Sequence, residues 1–270
     1  MSRILQLSDL HVVAPPARAS GRLDTARLLT NAIDHLIERL PMLGPLDAVL
    51  VTGDVSDDGS LVSYKIVREQ LERLSVPILM LPGNHDAREP MREAFADLPC
   101  MPARGPIDWV VDLGVLRIIG LDTLQEGRSG GALAADSLDF LAASLAGAGD
   151  RPVLVALHHP PIETGIRFMD AIALREPGPL ASVLAAAAGG ARIRMVCGHV
   201  HAAITGVLGQ TTVCIAPSVC SAFALDLRAD APVGFMTAPT GYMIHDWRNG
   251  AFCSTAQSIL RLDGPHPFGG

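Results

Sequence analysis

The sequence predicts an α/β fold with two sheets and helices outside them. Three observations carry this. Over the first third of the chain, short apolar runs alternate with segments of helical period. Each apolar run stops at a polar break that contains Asp, Asn or His. Beyond residue 200 the helical period disappears and short strand-like segments follow one another closely.

Residues 3–7 form an apolar strand that ends in Ser8-Asp9-Leu10-His11, and the Pro-containing stretch 12–21 is a loop. Leu28, Leu29, Ile33, Leu36, Ile37 and Leu40 recur at helical spacing, so 23–40 is a helix with Pro41 just past its end. The run 48–51 is a buried strand closed by Gly53-Asp54, and 60–74 is a helix with Ser60 as its N-cap. A third strand, 76–81, runs into Pro82-Gly83-Asn84-His85-Asp86, followed by a short helix over 88–98. Residues 107–111 and 115–121 flank Asp112-Leu113-Gly114 as a hairpin, and 134–146 is an Ala/Leu-rich helix. The strand 153–157 enters His158-His159-Pro160-Pro161, the segment 162–178 is an excursion, and 180–188 is a helix. The strand 193–197 enters Gly198-His199-Val200-His201. Short segments at 203–208, 211–216, 219–225, 241–247 and 250–257 complete the chain as a run of antiparallel sheet. The chain reads as one domain over 1–270, with the excursions at 162–178 and 222–240 as candidates for a cap or a dimer contact.

Composition narrows the function. Nearly half of the 270 residues are apolar, and the net charge is −7 with Lys65 the only lysine. No basic run is present, so a nucleic-acid polymer is not the expected partner. Five cysteines, Cys100, Cys197, Cys214, Cys220 and Cys253, include no C-x-x-C pair, which argues against a disulfide framework or a cysteine zinc knuckle. Asp9 and His11 come too early for a signal peptide, and no run reaches membrane-spanning length. A soluble, cytoplasmic protein with no membrane partner is the expectation.

Six of the nine histidines fall in the breaks after strands. Asp9 and His11 are two apart, as are His199 and His201, and on extended backbone residues i and i+2 share a face. Asp, Asn and neutral imidazole suit divalent zinc, manganese, iron or cobalt. Asp9, His11, Asp54, Asn84, His158, His199 and His201 make seven candidate ligands. That is too many for one ion with an open position, and enough for two ions if one carboxylate is shared.

The motifs D-x-H at 9–11, G-D at 53–54, G-N-H-D at 83–86, H at 158 and G-H-x-H at 198–201, in this order, resemble the calcineurin-like metallophosphoesterase superfamily. The run 53–60, His158-His159-Pro160-Pro161 with Thr164-Gly165-Ile166 and Met169-Asp170, and Ala216-Pro217-Ser218 are similar to its class III cyclic nucleotide phosphodiesterase and glycerophosphodiesterase branch. Asp57 stands where purple acid phosphatases carry a tyrosine, which disfavours that branch. The resemblance implies a four-layer α/β/β/α sandwich of two mixed sheets flanked by helices, with a metal site at the strands' C-terminal ends. It implies one divalent ion on Asp9, His11, Asp54 and His201, and a second on Asp54, Asn84, His158 and His199. It places His85 beside a substrate phosphate, and implies substrate contacts from Asn84, His85, Met169 and Asp170.

The function this implies is hydrolysis of small phosphodiesters, cyclic nucleotides or glycerophosphodiesters, by metal-bound hydroxide. His85 is the candidate proton donor, oriented by Asp86 as a carboxylate–histidine pair. A phosphomonoesterase on the same site and a non-catalytic scaffold are the alternatives, and a DNA nuclease is disfavoured by the charge. His159 is expected to be structural, Asp57, Asp58 and Ser60 to cap a helix, and Arg88 either to meet a phosphate or to open its helix. A homo-oligomer is compatible with the excursions.

Overall fold

A computed structural model describes residues 1–187, 192–260 and 266. The first half alternates strand and helix as its periodicities require. The elements are β1 (Ser2–Leu7), α1 (Thr25–Leu43), β2 (Ala48–Thr52), α2 (Leu61–Glu72), β3 (Ile78–Leu81) and α3 (Arg88–Ala94). Asp24 caps α1 by accepting from Arg27 N at 3.2 Å, and Ser60 caps α2 by accepting from Ser63 N at 3.2 Å. Helix α1 does not stop before Pro41 but includes it and continues to Leu43. The proline sits in the last turn, where its missing N–H costs one bond, and Gly44 N closes the helix on Leu40 O at 3.2 Å. Helix α3 ends at Ala94, one turn earlier than its apolar pattern suggested.

The second half contributes β4 (Trp109–Leu113), β5 (Leu116–Leu121), α4 (Ala135–Ala146), β6 (Val153–Leu157), the single turn α5 (Arg167–Asp170), α6 (Pro177–Ala186) and β7 (Ile193–Cys197). There follow β8 (Ile204–Leu208), β9 (Thr211–Ile215), the two-residue pair β10 (Ala222–Phe223) and β11 (Phe235–Met236), and the hairpin β12 (Gly241–Arg248) and β13 (Ala251–Ser258). Helix α6 begins at Pro177, a residue suited to the first helical position, so it takes over the end of the excursion. Position 188 of the expected helix lies outside the described residues.

Two mixed sheets result. The first has the order β13-β12-β1-β2-β3 and the second β4-β5-β6-β7-β9-β8. The strands after residue 200 are therefore not one antiparallel run: β9 lies parallel to β7, whereas β12 returns to pair antiparallel with β1. The expected strand 219–225 shrinks to Ala222–Phe223, paired with Phe235–Met236 across the 222–240 stretch.

Side chains alternate across the second sheet with the period of two that a strand imposes. Ile118, Leu154, Ala156, Val196 and Cys214 join the core shared with the first sheet, α1 and α2. Ile119, Val155, Leu157, Met195 and Val213 face a second core with α4 and α6. The layers are thus helix, sheet, sheet, helix. Because β1, β2 and β3 are mutually parallel, and β5, β6, β7 and β9 likewise, the breaks after β1, β2, β3, β6 and β7 can meet at one end of the sandwich. No helix among the described residues is long and apolar enough to cross a membrane.

Leu154 is fully buried between the sheets. Leu154→Ala should lower stability by about 2–5 kcal/mol. Urea unfolding of the two proteins side by side checks this, and a loss well under about 1 kcal/mol would contradict the placement of the inter-sheet core.

Candidate metal centre

The loops that carry the candidate ligands are held in unusual backbone conformations. Asp9, His11, Asp54, His199 and His201 have φ of 53°, 44°, 47°, 72° and 53°, the left-handed region that side chains other than Gly seldom enter. Such strain persists only where the surroundings determine it, and here they do. Asp9 N donates to Gly53 O at 3.1 Å, His11 N to Asp54 O at 2.8 Å, and His199 N to the Asp9 carboxylate at 3.0 and 3.1 Å. Gly53 (φ 90°) and Gly83 permit this closeness: a Cβ on Gly53 would meet the His158 ring, and one on Gly83 the Asp54 carboxylate.

All seven expected ligands come together. On one side His11 Nε2 stands 3.1 Å from His201 Nε2 and 3.4 Å from Asp54 Oδ2, while His201 Nε2 is 3.4 Å from Asp9 Oδ1. On the other, His158 Nε2 is 3.2 Å from both Asn84 Oδ1 and His199 Nδ1, and 3.3 Å from Asp54 Oδ2. Asp54 Oδ2 thus belongs to both groups, while Asp54 Oδ1 accepts from His85 N at 2.9 Å.

The far sides of the imidazoles decide what these groups can hold. His158 Nδ1–H donates to Thr52 O at 2.8 Å. His11 Nδ1 lies 3.1 Å from Asp57 Oδ1, an acceptor, and His201 Nδ1 lies 3.0 Å from Ser221 Oγ. With the proton on Nδ1, each Nε2 turns a lone pair toward the other lone pairs and the carboxylates. Anchoring one ring nitrogen to an oxygen acceptor is how metal-binding histidines are oriented. Lone pairs facing each other at such distances repel unless a proton or a metal cation lies among them. Ligands of a tetrahedral ion at about 2.1 Å are separated by about 3.4 Å, close to the spacings in both groups. The donor set therefore fits divalent cations, and its two groups are those that the resemblance assigns, Asp9, His11, Asp54 and His201 to one ion and Asp54, Asn84, His158 and His199 to another.

Charge points the same way. Burial raises the Asp54 carboxyl, but the facing His158 and His11 together outweigh it and hold it well below the usual range. Burial would lower His158, yet Asp54 and Asp9 push it up to about 9, and His11 is raised in the same manner. Without metal, the buried carboxylates draw protons onto these rings. Cations would displace those protons.

His85 lines the mouth of the centre, and its Nδ1 lies 3.2 Å from Asp57 O and 3.4 Å from Asp57 Oδ1. Asp86 does not orient His85 as expected. Asp86 is buried and accepts from Val55, Ser56 and Gly83 N–H and from the Tyr64 hydroxyl at 2.8–3.1 Å. It ties the Asp54 loop to the Asn84 loop and does not touch the His85 ring. Its carboxyl is pushed up to about 6 by burial and by Asp54, against the amides. Asp57 is likewise not a helix cap. It faces His11 and His85, and the capping work falls to Ser60 and to Asp58, which accepts from Ser60 N at 3.0 Å.

The centre opens into a cavity of about 260 Å³. Phe168, Met169 and Ile172 from the 162–178 excursion and Phe223, Val233 and Phe235 from the β10–β11 region line it. Asp170 does not. It accepts from Thr164 N and Oγ1 and from Gly165 N at 2.8–2.9 Å, and so shapes the excursion instead of facing a ligand. Phe223 stacks on the His201 ring with centroids 4.5 Å apart. His159 is fully engaged, with Nδ1 2.7 Å from Thr123 Oγ1 and Nε2 3.1 Å from Ser129 O, and burial pushes it down to about 3. Arg88 is held by Asp122 at 2.6 and 2.9 Å and does not reach the cavity.

Two outcomes are expected. Asp54→Ala should abolish tight binding of both ions, whereas His11→Ala should cost only one, as measured by metal content per chain after dialysis; full content in Asp54→Ala would contradict a shared ligand. Metal uptake should also release protons, so apparent affinity should rise with pH up to about 9, where His158 loses its proton. Calorimetric titration in buffers of different ionisation enthalpy measures the release.

The chain is similar in sequence and in fold to known proteins. The calcineurin-like phosphoesterase family model matches residues 2–203. A probable glycerophosphodiester phosphodiesterase of Arcobacter nitrofigilis is 33% identical, covering 98% of this chain and 96% of its own length. The 3′,5′-cyclic adenosine monophosphate phosphodiesterase of Pseudomonas aeruginosa is 35% identical over 82% of this chain and 77% of its own. In fold, the chain is similar to a purple acid phosphatase from yellow lupin (TM-score 0.66, 15% identity, 96% of this chain and 51% of that one). It is also similar to TT1561 of Thermus thermophilus (TM-score 0.60, 14% identity, 96% and 99%). By sequence match, fold and the arrangement of its strand-end residues, the chain belongs to the calcineurin-like phosphoesterase family.

Proposed function

We propose that the chain is a metal-dependent hydrolase of small phosphodiesters. The observation that carries this reading is the pair of ligand groups sharing Asp54 Oδ2 at the base of an open cavity. Relatives named as glycerophosphodiester and cyclic nucleotide phosphodiesterases, matched over most of the chain, support the diester class. Two divalent ions of the iron, manganese, zinc or cobalt class would supply positive charge to a phosphoryl oxygen and activate a water for in-line displacement.

The chain's own residues do the rest. Asp9 and Asp54 provide the negative charge that retains cations. Asn84 is a neutral ligand and leaves its side of the centre more electron-poor than a third carboxylate would. Asp57 holds His85 Nδ1, so His85 Nε2 is the ring atom left to face a phosphate oxygen or to pass a proton to the leaving oxygen. Phe168, Met169, Ile172, Phe223 and Phe235 form a largely apolar wall on which the ester group would rest, and the two excursions act as its cap.

Among the described residues no Lys or Arg lines the cavity. A phosphomonoester, with a charge of roughly −1.5 to −2 at neutral pH, would find no protein cation beyond the metals. A diester monoanion needs none. This favours diesters over monoesters, and it disfavours a nucleic-acid polymer for the same reason.

On manganese-loaded protein, kcat/KM for bis(p-nitrophenyl) phosphate should exceed that for p-nitrophenyl phosphate by at least about tenfold. The reverse order would favour the monoesterase reading, and no activity despite bound metal would favour a non-catalytic scaffold. A panel of 3′,5′- and 2′,3′-cyclic nucleotides and glycerophosphodiesters then ranks the natural class. His85→Ala should lower kcat by about 10²–10⁴-fold while two metals stay bound; an unchanged kcat would remove His85 from the mechanism.

A further inference from the structure

Each candidate cation takes ligands from both sheets. Asp9, His11, Asp54 and Asn84 follow strands of the first sheet, whereas His158, His199 and His201 follow strands of the second. The distance between the sheets is therefore a dimension of the metal centre. The core between them is mostly apolar, and the hydrophobic attraction that joins them is non-directional. At the metal end, however, a buried polar line crosses the gap.

Gln6, in β1, is at its centre. One N–H of its amide donates to Thr52 Oγ1 on β2 at 2.8 Å, and the other to Cys197 O, the last residue of β7 in the opposite sheet, at 2.9 Å. Its carbonyl oxygen accepts from His245 Nε2–H on β12 at 2.8 Å, and His245 Nδ1 lies 2.8 Å from Ser254 Oγ on β13. Both N–H donors and the carbonyl oxygen of the amide have partners, so it has one satisfied orientation. A flipped amide would set its oxygen against the Cys197 carbonyl and its N–H against the donor of His245. Burial and the nearby Arg194 push His245 down to about 3, so the ring is the neutral donor that this arrangement needs.

What Gln6 grips is directly joined to the ligands. Thr52 O accepts from His158 Nδ1–H at 2.8 Å, and Thr52 Oγ1 donates to Ser8 Oγ, beside Asp9, at 2.9 Å. Cys197 is followed by Gly198, whose N–H donates to His158 O at 3.1 Å, and then by His199. Neither Gln6 nor His245 is among the residues lining the cavity.

We propose that Gln6, oriented by His245, is a positioning residue that sets the separation of the two sheets at the value the cation pair requires. Its role is then read in metal affinity and coordination, beyond any effect on folding. The inference rests on the dinuclear reading of the centre. Groups that orient metal ligands from behind typically contribute about 10–100-fold in affinity, and Gln6 is linked through Thr52 to His158 and, by way of Ser8, to the Asp9 loop.

The test uses cobalt(II) as the probe on the full chain. Gln6→Met keeps the volume and removes the three bonds; His245→Leu leaves Gln6 bonded to Thr52 and Cys197 but removes the donor to its carbonyl oxygen; His245→Gln restores a donor. Cobalt affinity by chelator competition, the visible d–d spectrum and the metal-free melting temperature are measured for each. Gln6→Met should bind cobalt about 10–100-fold more weakly at both positions, with a shifted spectrum. His245→Leu should change both readouts in the same direction but less, and His245→Gln should recover most of the wild-type values. If Gln6→Met does not fold, the pair of His245 variants decides the matter by the same readouts. Variants with lower melting temperatures but unchanged affinity and spectrum would overturn the proposal. Wild-type protein that takes up fewer than two cobalt ions would overturn the dinuclear reading, and this inference with it.

Discussion

One carboxylate oxygen organises the centre. Asp54 Oδ2 lies 3.4 Å from His11 Nε2 and 3.3 Å from His158 Nε2, buried between two histidine groups. A buried carboxylate is costly unless positive charge meets it, and Asp9 adds a second one nearby. The chain supplies no Lys or Arg there among the described residues lining the cavity; it supplies imidazoles whose outer nitrogens are tied to Asp57, Thr52 and Ser221. This arrangement suits cations bound from outside. The left-handed backbone at five ligand positions and the close approach of Gly53 and Gly83 follow from bringing so many ligand atoms to one oxygen.

The fold answers a geometric demand made by that oxygen. Parallel strands send their carboxyl ends to one edge, and two sheets packed face to face bring two such edges together. The apolar cores on either side of the second sheet give the layers their cohesion, and the polar line through Gln6 supplies register where the ligands need it. Asp86 does the same within the first sheet by bonding the amides of two ligand loops. The apolar side chains that line the cavity come from the excursion and the β10–β11 region, and one of them, Phe223, stacks on the His201 ring.

Much of this was legible in the sequence because the ligands interrupt apolar strands. Asp9, His11, Asp54, Asn84, His158, His199 and His201 could be gathered by that rule, and the structure brings them together. Residues that act on the ligands from behind were not legible in this way. Asp57 looks like a cap because it stands before a helix, yet it faces His11 and His85. Asp86 looks like a partner for its neighbour His85, but adjacent side chains diverge, and its acceptors were claimed by amides distant in sequence. The resemblance implies a substrate contact from Asp170, which instead stabilises its own loop. Ser221 gave no signal, and the signal from Gln6 was slight: a polar residue inside an apolar strand. Pro41 and the segment 219–225 were misplaced because a terminal turn tolerates proline and because two residues suffice for the β10–β11 pairing.

The central claim is that two cations share Asp54. Anomalous diffraction from crystals of manganese-loaded protein addresses it directly. Two anomalous peaks about 3.5–4 Å apart are expected, with Asp54 Oδ2 in contact with both, Asp9, His11 and His201 around one, and Asn84, His158 and His199 around the other. A single peak, or two peaks of which only one touches Asp54, would contradict it.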